Sequence, residues 1–317
     1  MTQDLTGKTI LITGATDGIG KAAATQFAKR GATLILIGRN KAKTEQVISE
    51  LRTATGNRNL DHLLCDLSRL SDVRRAAEEF RSRHDRLDVL VNNAGATFKK
   101  PVLGPDGLEL TFALNHLAHF QLTTSLMDLI RQTPGARIVS TSSGTQALGA
   151  LDLEKTPTCL DVPGWRAYAT SKLATVLFTK ELQRRLAGST ATANCFEPGT
   201  VRTQFGGFSS DQGFLLNIVY TLARPFSSTP EQGADSLIWL ATSPEAAALK
   251  GEYVSKRRLA TPSKQARDPR LAAGLWSSAK GFACRPPHGP IEPPSSPTSP
   301  SLKQIEPPRV PVRRTGQ

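Results

Sequence analysis

Tyr168 and Lys172 stand four residues apart in the run Tyr168-Ala169-Thr170-Ser171-Lys172. On a helix, residues i and i+4 lie one above the other on a single face. An ammonium held beside a phenol favours the phenolate and lowers the phenol's pKa. A tyrosine tuned in this way donates or takes a proton near neutral pH. The same spacing also occurs on plain helix surfaces, so the pair gains its meaning from what lies upstream.

What lies upstream is a turn suited to a dinucleotide. Lys8 to Thr13 reads as a β-branched, apolar strand. The turn Thr13-Gly14-Ala15-Thr16-Asp17-Gly18-Ile19-Gly20 follows at once, then a predicted helix from Lys21 to Arg30 stopped by Gly31, then a second strand from Thr33 to Ile37. This βαβ unit is the context that a dinucleotide fingerprint requires. Gly14 permits the tight turn out of the strand. Gly18 lets backbone N–H groups approach a pyrophosphate where the helix dipole favours negative charge. Gly20 is expected to let the helix pack closely on the sheet. Thr16, Asp17 and Ile19 complete the loop facing that ligand. The spacing is Gly-x-x-x-Gly-x-Gly rather than Gly-x-Gly-x-x-Gly.

The end of the second strand speaks to the cofactor. An acidic residue there binds a ribose 2′-hydroxyl, whereas an arginine accommodates a 2′-phosphate. This chain reads Ile37-Gly38-Arg39-Asn40, with no carboxylate. Arg39 offers a planar fork for a phosphate, with Asn40 beside it. NADP(H) is therefore expected over NAD(H).

With these pieces in place, the chain resembles the short-chain dehydrogenase/reductase family. The resemblance is carried in order by the turn Thr13 to Gly20, then Asp66, Asn92-Asn93-Ala94-Gly95, Asn115, Ser142-Ser143, Tyr168 with Lys172, and Pro198-Gly199 with Thr203. It covers residues 5 to about 255. By position it implies that Tyr168 is the acid in reduction and the base in oxidation. Lys172 would lower its pKa and hold the nicotinamide ribose, and Ser143 would hydrogen-bond the substrate carbonyl. Asn115 would hold a water that feeds protons toward Lys172. Asp66 and Leu67 would bind near the adenine, Asn93, Ala94 and Gly95 would wall that side, and Pro198, Gly199, Val201 and Thr203 would meet the nicotinamide end. The implied reaction interconverts a carbonyl and an alcohol as small-molecule substrate. The alternative, a non-catalytic nicotinamide-binding sensor or scaffold, usually lacks the tyrosine or the lysine, and both are present here.

One departure narrows the resemblance. Ser143 and Tyr168 are twenty-five residues apart, about twice the separation common in the family. The longer segment, with Leu151-Asp152-Leu153 and Asp161-Val162-Pro163-Gly164-Trp165, resembles the retinol dehydrogenase and protochlorophyllide reductase branch, as does Arg267-Asp268-Pro269 followed by Leu275-Trp276. That branch implies a bulky apolar substrate. Family members are often dimers or tetramers, so a homo-oligomer is implied, although the chain itself gives no direct sign of one.

The elements that must position these residues follow from periodicity. Helices are predicted over Lys41–Thr53, Ser71–Arg83, Leu108–Arg131, Trp165–Leu186 and from the cap Thr229 to Thr242, with strands Leu60–Cys65, Leu87–Val91, Arg137–Thr141, Thr190–Phe196 and Gly251–Ser255 between them. Such alternation means an α/β fold: a single Rossmann-type doubly wound, mainly parallel sheet flanked by helices. Residues 1–284 are assigned to this domain and 203–228 to a segment covering the substrate. Within it, Phe214 to Tyr220 is strongly apolar. It either lines a greasy pocket, contacts a membrane surface through residues 213–223, or forms an ordinary core helix. Residues 285–317 hold ten of the twenty-one prolines and few large apolar groups, a composition too poor in apolar surface to fold.

Charge and cysteine content bound the rest. The net charge is +13 over 317 residues, yet no basic stripe interleaved with aromatics appears, so no nucleic-acid partner is expected. His116 and His119 are read as packing residues. The four cysteines lack metal-ligand spacing, so no metal is expected. Dispersed thiols, no eighteen-residue apolar stretch and no leader-like N-terminus point to a cytoplasmic protein.

Overall fold

In a computed structural model, which describes residues 4–199 and 228–283, the run Thr9–Thr13 forms strand β1 and all five residues are buried. It pairs in parallel with β2, Thr33–Gly38, on one side and β4, Val89–Asn92, on the other. The remaining strands are β3, Leu60–Leu64; β5, Arg137–Thr141; β6, Thr192–Glu197; β7, Tyr253–Ser255; and β8, Arg258–Leu259. Their order is β3-β2-β1-β4-β5-β6-β7-β8, parallel throughout except for the β7–β8 hairpin. Residues 1–287 make one compact unit. The expectations for Val201, Thr203, the covering segment 203–228 and the tail 285–317 fall on or extend into residues outside those described.

Continuous apolar strands are what a parallel sheet covered on both faces demands. Successive side chains point to opposite faces, so Leu11 joins one core with Ile35, Leu90 and Ile138, while Ile10 and Ile12 join the other with Leu34, Leu36, Val91 and Val139. The helices Gly18–Lys29 (α1), Lys41–Thr55 (α2) and Pro230–Thr242 cover the second face. Leu70–Arg83 (α3) and Gly164–Arg185 cover the first. Thr229 caps its helix as the sequence signals: its hydroxyl accepts from Gln232 N–H, and the Gln232 side chain accepts from Thr229 N–H.

Three features depart from the predicted elements. The single helix expected over Leu108–Arg131 is broken into Leu110–Phe112, a π-turn at Ala113–Leu117, Ala118–Ser125 and Met127–Gln132. Hydrophobic periodicity does not register one inserted residue. The hairpin to β8 was not anticipated, because its two turn residues, Lys256 and Arg257, adopt φ of 50° and 57°, a conformation usually given to Asn-Gly. Arg257 is held there by a two-point ion pair with Asp235 and by its N–H donating to Ser236 Oγ at 3.0 Å. Finally, Pro269–Ala283 is a helix that packs on Gly164–Arg185 through Trp276. Among the described residues no helix is long and apolar enough to cross a membrane.

Candidate active site

Open α/β sheets bind ligands at the carboxyl ends of their strands, where the winding direction reverses. Here that point lies between β1 and β4. Thr13, the last residue of β1, organises it. Its hydroxyl accepts from the N–H groups of Asn93 and Ala94, each at 2.9 Å. Gly14 then turns with φ of +68°, and a Cβ there would lie 2.7 Å from Ala94 Cα. The Asn93 amide donates to the carbonyls of Thr13 and Gly14, both at 3.2 Å, and its oxygen accepts from Thr141 Oγ1 at 3.2 Å. Gly20 faces not the sheet but this turn. A Cβ on it would penetrate the Gly14 carbonyl and sit 2.6 Å from Asn93 Nδ2. The expectation that Gly20 serves helix-on-sheet packing is therefore corrected to helix-on-turn packing.

Asp17 caps α1 by accepting from Gly18 N–H at 2.7 Å, and its carboxylate lies 3.9 Å from Lys43 Nζ. Arg39 is exposed and lines the cleft just past β2. Asn40 does not line it; its side chain caps α2, accepting from Lys43 N–H at 3.0 Å. Asp66 and Leu67 line the far end, where the Asp66 carboxylate accepts from the N–H and hydroxyl of Ser68 at 3.0 and 2.7 Å.

The proton-handling residues converge from β5 and the helix Gly164–Arg185. The two serines separate in role. Ser142 is buried and donates to the Lys172 carbonyl at 3.0 Å, fastening strand to helix. Ser143 is half-buried; its hydroxyl accepts from Thr145 N–H at 3.2 Å and faces the cleft with Tyr168. Lys172 is fully buried, its Nζ 5.5 Å from the Tyr168 ring centroid and donating to Thr141 O at 2.9 Å. Burial disfavours the ammonium and pushes its pKa down to about 8.

Asn115 sits inside the π-turn, where such insertions often mark function. It is buried and does not line the cleft. Its amide is fully engaged: Oδ1 accepts from Ala96 N–H at 2.8 Å, while Nδ2 donates to Ala96 O and to Ser171 Oγ, both at 2.9 Å. Ser171 in turn donates to the Tyr168 carbonyl at 2.7 Å. The main-chain carbonyl of Asn115 lies 3.1 Å from His119 Nδ1.

His116 packs among the rings of Phe112, Phe120 and Phe178, as the sequence suggests. Neither ring nitrogen has a hydrogen-bond partner among the described residues, and burial pushes its pKa down to about 3. Its stability contribution is whole above the ordinary imidazole pKa of about 6.5. It is lost as pH falls from there toward about 3, because the unfolded chain takes up the proton first. Between pH 7.5 and 5 this loss amounts to about 2 kcal/mol. His116→Phe should remove it, giving a urea midpoint less sensitive to acid than that of the parent. An unchanged acid slope would show that His116 is not buried neutral.

Together these groups line one cleft of about 650 Å³, running from the glycine turn past Arg39, Asp66 and Leu67 to Ala94, Gly95, Ser143, Tyr168, Lys172, Pro198 and Gly199. Sequence reading missed Phe98 and Leu114 on its wall and the roles of Thr13 and Ser171. Thr13 stood inside the quoted turn, and Ser171 between the two catalytic candidates, but their partners are distant in sequence. Among the described residues no group of three His, Cys, Asp or Glu side chains could hold a metal ion.

The family profile described as short chain dehydrogenase matches residues 8–212. The chain belongs to that family. Human retinol dehydrogenase 13 is 35% identical over 284 residues, covering 86% of this chain and 83% of the relative. The WW domain-containing oxidoreductase of Pongo abelii is 36% identical, covering 87% and 68%. These relatives put this short-chain dehydrogenase in the retinol dehydrogenase-like branch. Among solved structures, a Mycobacterium paratuberculosis protein superposes with a TM-score of 0.71 at 30% identity, covering 89% of this chain and 95% of its own. An Escherichia coli CFT073 short chain dehydrogenase complexed with NADPH gives 0.62 at 27% identity, covering 80% and 98%. The protein is thus an oxidoreductase by family, with a nucleotide-binding Rossmann sheet.

Proposed function

We propose that this short-chain dehydrogenase uses NADP(H) to interconvert a bulky apolar carbonyl compound and its alcohol. The observation that carries the reading is that Ser143, Tyr168 and Lys172 line the same cleft as the glycine turn. The residues present fit the cofactor. Gly14 and Gly20 stand where any Cβ would collide with the turn, leaving the N-terminus of α1 open to a pyrophosphate. Arg39 stands at the ribose end without a carboxylate beside it in sequence. When bound, the nicotinamide supplies or accepts the hydride.

The chain's own residues handle the proton and the charge. Ser143 and Tyr168 present two hydroxyls at the cleft wall to an oxygen that becomes negative during reduction. Tyr168 gives that oxygen a proton, or takes it back in the alcohol direction. The buried charge of Lys172 favours the phenolate left behind. Thr141 O occupies one of the three Lys172 N–H groups, and the others remain for the ribose and the tyrosine side. A water that resupplies protons at Asn115 shares its main-chain carbonyl with His119 Nδ1, since the amide is committed to Ala96 and Ser171.

Phe98, Leu114, Ala96 and Thr97 line the same cleft as Tyr168, and Val102, Leu103 and Leu160 are exposed apolar residues. This supports an apolar substrate, as do relatives named retinol dehydrogenases. A panel of retinoid, steroid, quinone and short aliphatic carbonyls, followed by loss of NADPH absorbance, tests it. The large apolar members should turn over fastest; preference for small polar ketones would sink the substrate class.

Cofactor choice has its own test. Arg39→Ala should weaken NADPH binding about 10- to 100-fold, the loss of one charge-assisted bidentate contact, and change NADH binding less than threefold. Equal losses for the two would remove the 2′-phosphate role.

A further inference from the structure

We propose that His119 is a positioning residue of this active site: its neutral ring clamps the main-chain carbonyl of Asn115 to the hydroxyl of Thr13, locking the π-turn to the end of β1. The proposal rests on the oxidoreductase reading above for its effect on turnover, but not for its geometry.

His119 is buried on the segment Ala118–Ser125, just past the π-turn. Its Nδ1 is 3.1 Å from Asn115 O and its Nε2 is 3.3 Å from Thr13 Oγ1. A carbonyl only accepts, so Nδ1 must carry the proton. The Thr13 hydroxyl already accepts from Asn93 and Ala94 N–H, so its own proton is what it offers, to Nε2 or to Val91 O, each at 3.3 Å. An unprotonated Nε2 accepts it. Both ends of the ring therefore select one tautomer, the Nδ1–H form.

A protonated ring fails this arrangement. Its second N–H would point at a hydroxyl whose lone pairs are taken. Burial, followed by the nearby charge of Lys172 on the facing helix and by His116 in the π-turn, outweighs the hydrogen bond to Asn115 and holds the imidazole neutral, with a pKa of about 3.

The clamp is a second link between two hydrogen-bond chains that also meet where the Asn115 amide holds Ala96, two residues past Ala94. On one side, Asn115 leads through Ser171 to the Tyr168 carbonyl. On the other, Thr13 leads through Asn93 to Thr141, whose carbonyl holds Lys172 Nζ. The ring thus ties the π-turn directly to the end of β1 from which the glycine turn departs. Catalytic geometry tolerates little error: about 1 Å of misplacement can lower a rate about a hundredfold.

Three variants of the full chain separate the two ends of the ring. Asn at this position keeps a donor where Nδ1 stands but falls short of Thr13. Gln reaches the Nε2 position but not the Asn115 carbonyl, and Leu does neither. His119→Leu should lower kcat about 10- to 100-fold with KM for NADPH within about threefold. His119→Asn and His119→Gln, which each keep only one end of the clamp, should both leave kcat at least about fivefold below the parent. A long-range ¹⁵N–¹H correlation spectrum of the cofactor-free parent at pH 7 should show His119 as the Nδ1–H tautomer. The Nε2–H tautomer, a Leu variant with full kcat, or full kcat in either the Asn or the Gln variant would each overturn the proposal. Should the Leu variant fail to fold, the tautomer and the two single-ended variants decide. A parent inactive on every carbonyl would overturn the proposed function instead, and the spectrum would still test the clamp.

Discussion

Tyr168→Phe is expected to lower kcat by about a thousandfold while leaving NADPH affinity within a few-fold of the parent. Proton transfer by a positioned side chain contributes about 10²- to 10⁴-fold, and here the phenol is the donor on the cleft wall beside Lys172. Phenylalanine keeps the ring and the packing on the helix Gly164–Arg185, so what is removed is the hydroxyl alone. Lys172, whose pKa burial holds at about 8, retains its bond to Thr141 O, and the glycine turn is untouched. Single-turnover absorbance at saturating NADPH separates chemistry from binding. Turnover within tenfold of the parent would remove Tyr168 from the proton-transfer role. Loss of cofactor binding instead would mean that the hydroxyl holds the ribose.

The second large effect lies far from the chemistry. Trp276→Ala should destabilise the fold by about 3–5 kcal/mol, the range for truncating a buried tryptophan. A melting temperature lower by about 10 °C would follow for a chain of this size. Trp276 stacks on Phe178 at 5.9 Å and 15°, meets Phe120 edge-on at 4.9 Å, and carries the Arg185 guanidinium 4.5 Å above its ring. With Ala272, Leu275 and Ala279 it belongs to the core that joins the helix Pro269–Ala283 to Gly164–Arg185, the helix that bears Tyr168 and Lys172. Trp276→Phe should restore most of the loss, because the stack survives. A circular-dichroism melt shifted by less than about 2 °C would show that this helix adds little to the fold. Because Phe120 lies one residue after His119, the same variant should also lower kcat modestly.

How much of this was legible beforehand depends on the range of the interaction. The βαβ unit, the glycine turn and the Tyr168–Lys172 pair were readable because each is a local pattern, closed within one turn or one strand–helix unit. The capping box at Thr229 was readable for the same reason. The π-turn was not, since one inserted residue leaves the apolar period nearly unchanged. Nor was the β7–β8 hairpin, whose positive-φ Arg257 is held by Asp235 and Ser236 about twenty residues away in sequence. Asn40 read as a cofactor contact because it follows Arg39, but its amide is claimed by the N-terminus of α2.

By itself, the sequence determined the family, the alternation of strand and helix, and the candidate residues Ser143, Tyr168 and Lys172 that line one cleft, because these are written in residue type and short spacing. Tertiary structure alone decided that Ser142 is tied to the Lys172 carbonyl, that the Asn115 amide is committed to Ala96 and Ser171, and that His119 lies between Asn115 O and Thr13 Oγ1. Those outcomes hang on hydrogen bonds such as Thr13 to His119 and Asn115 to Ser171. Their partners are brought together only when the parallel sheet closes and most buried polar groups find one.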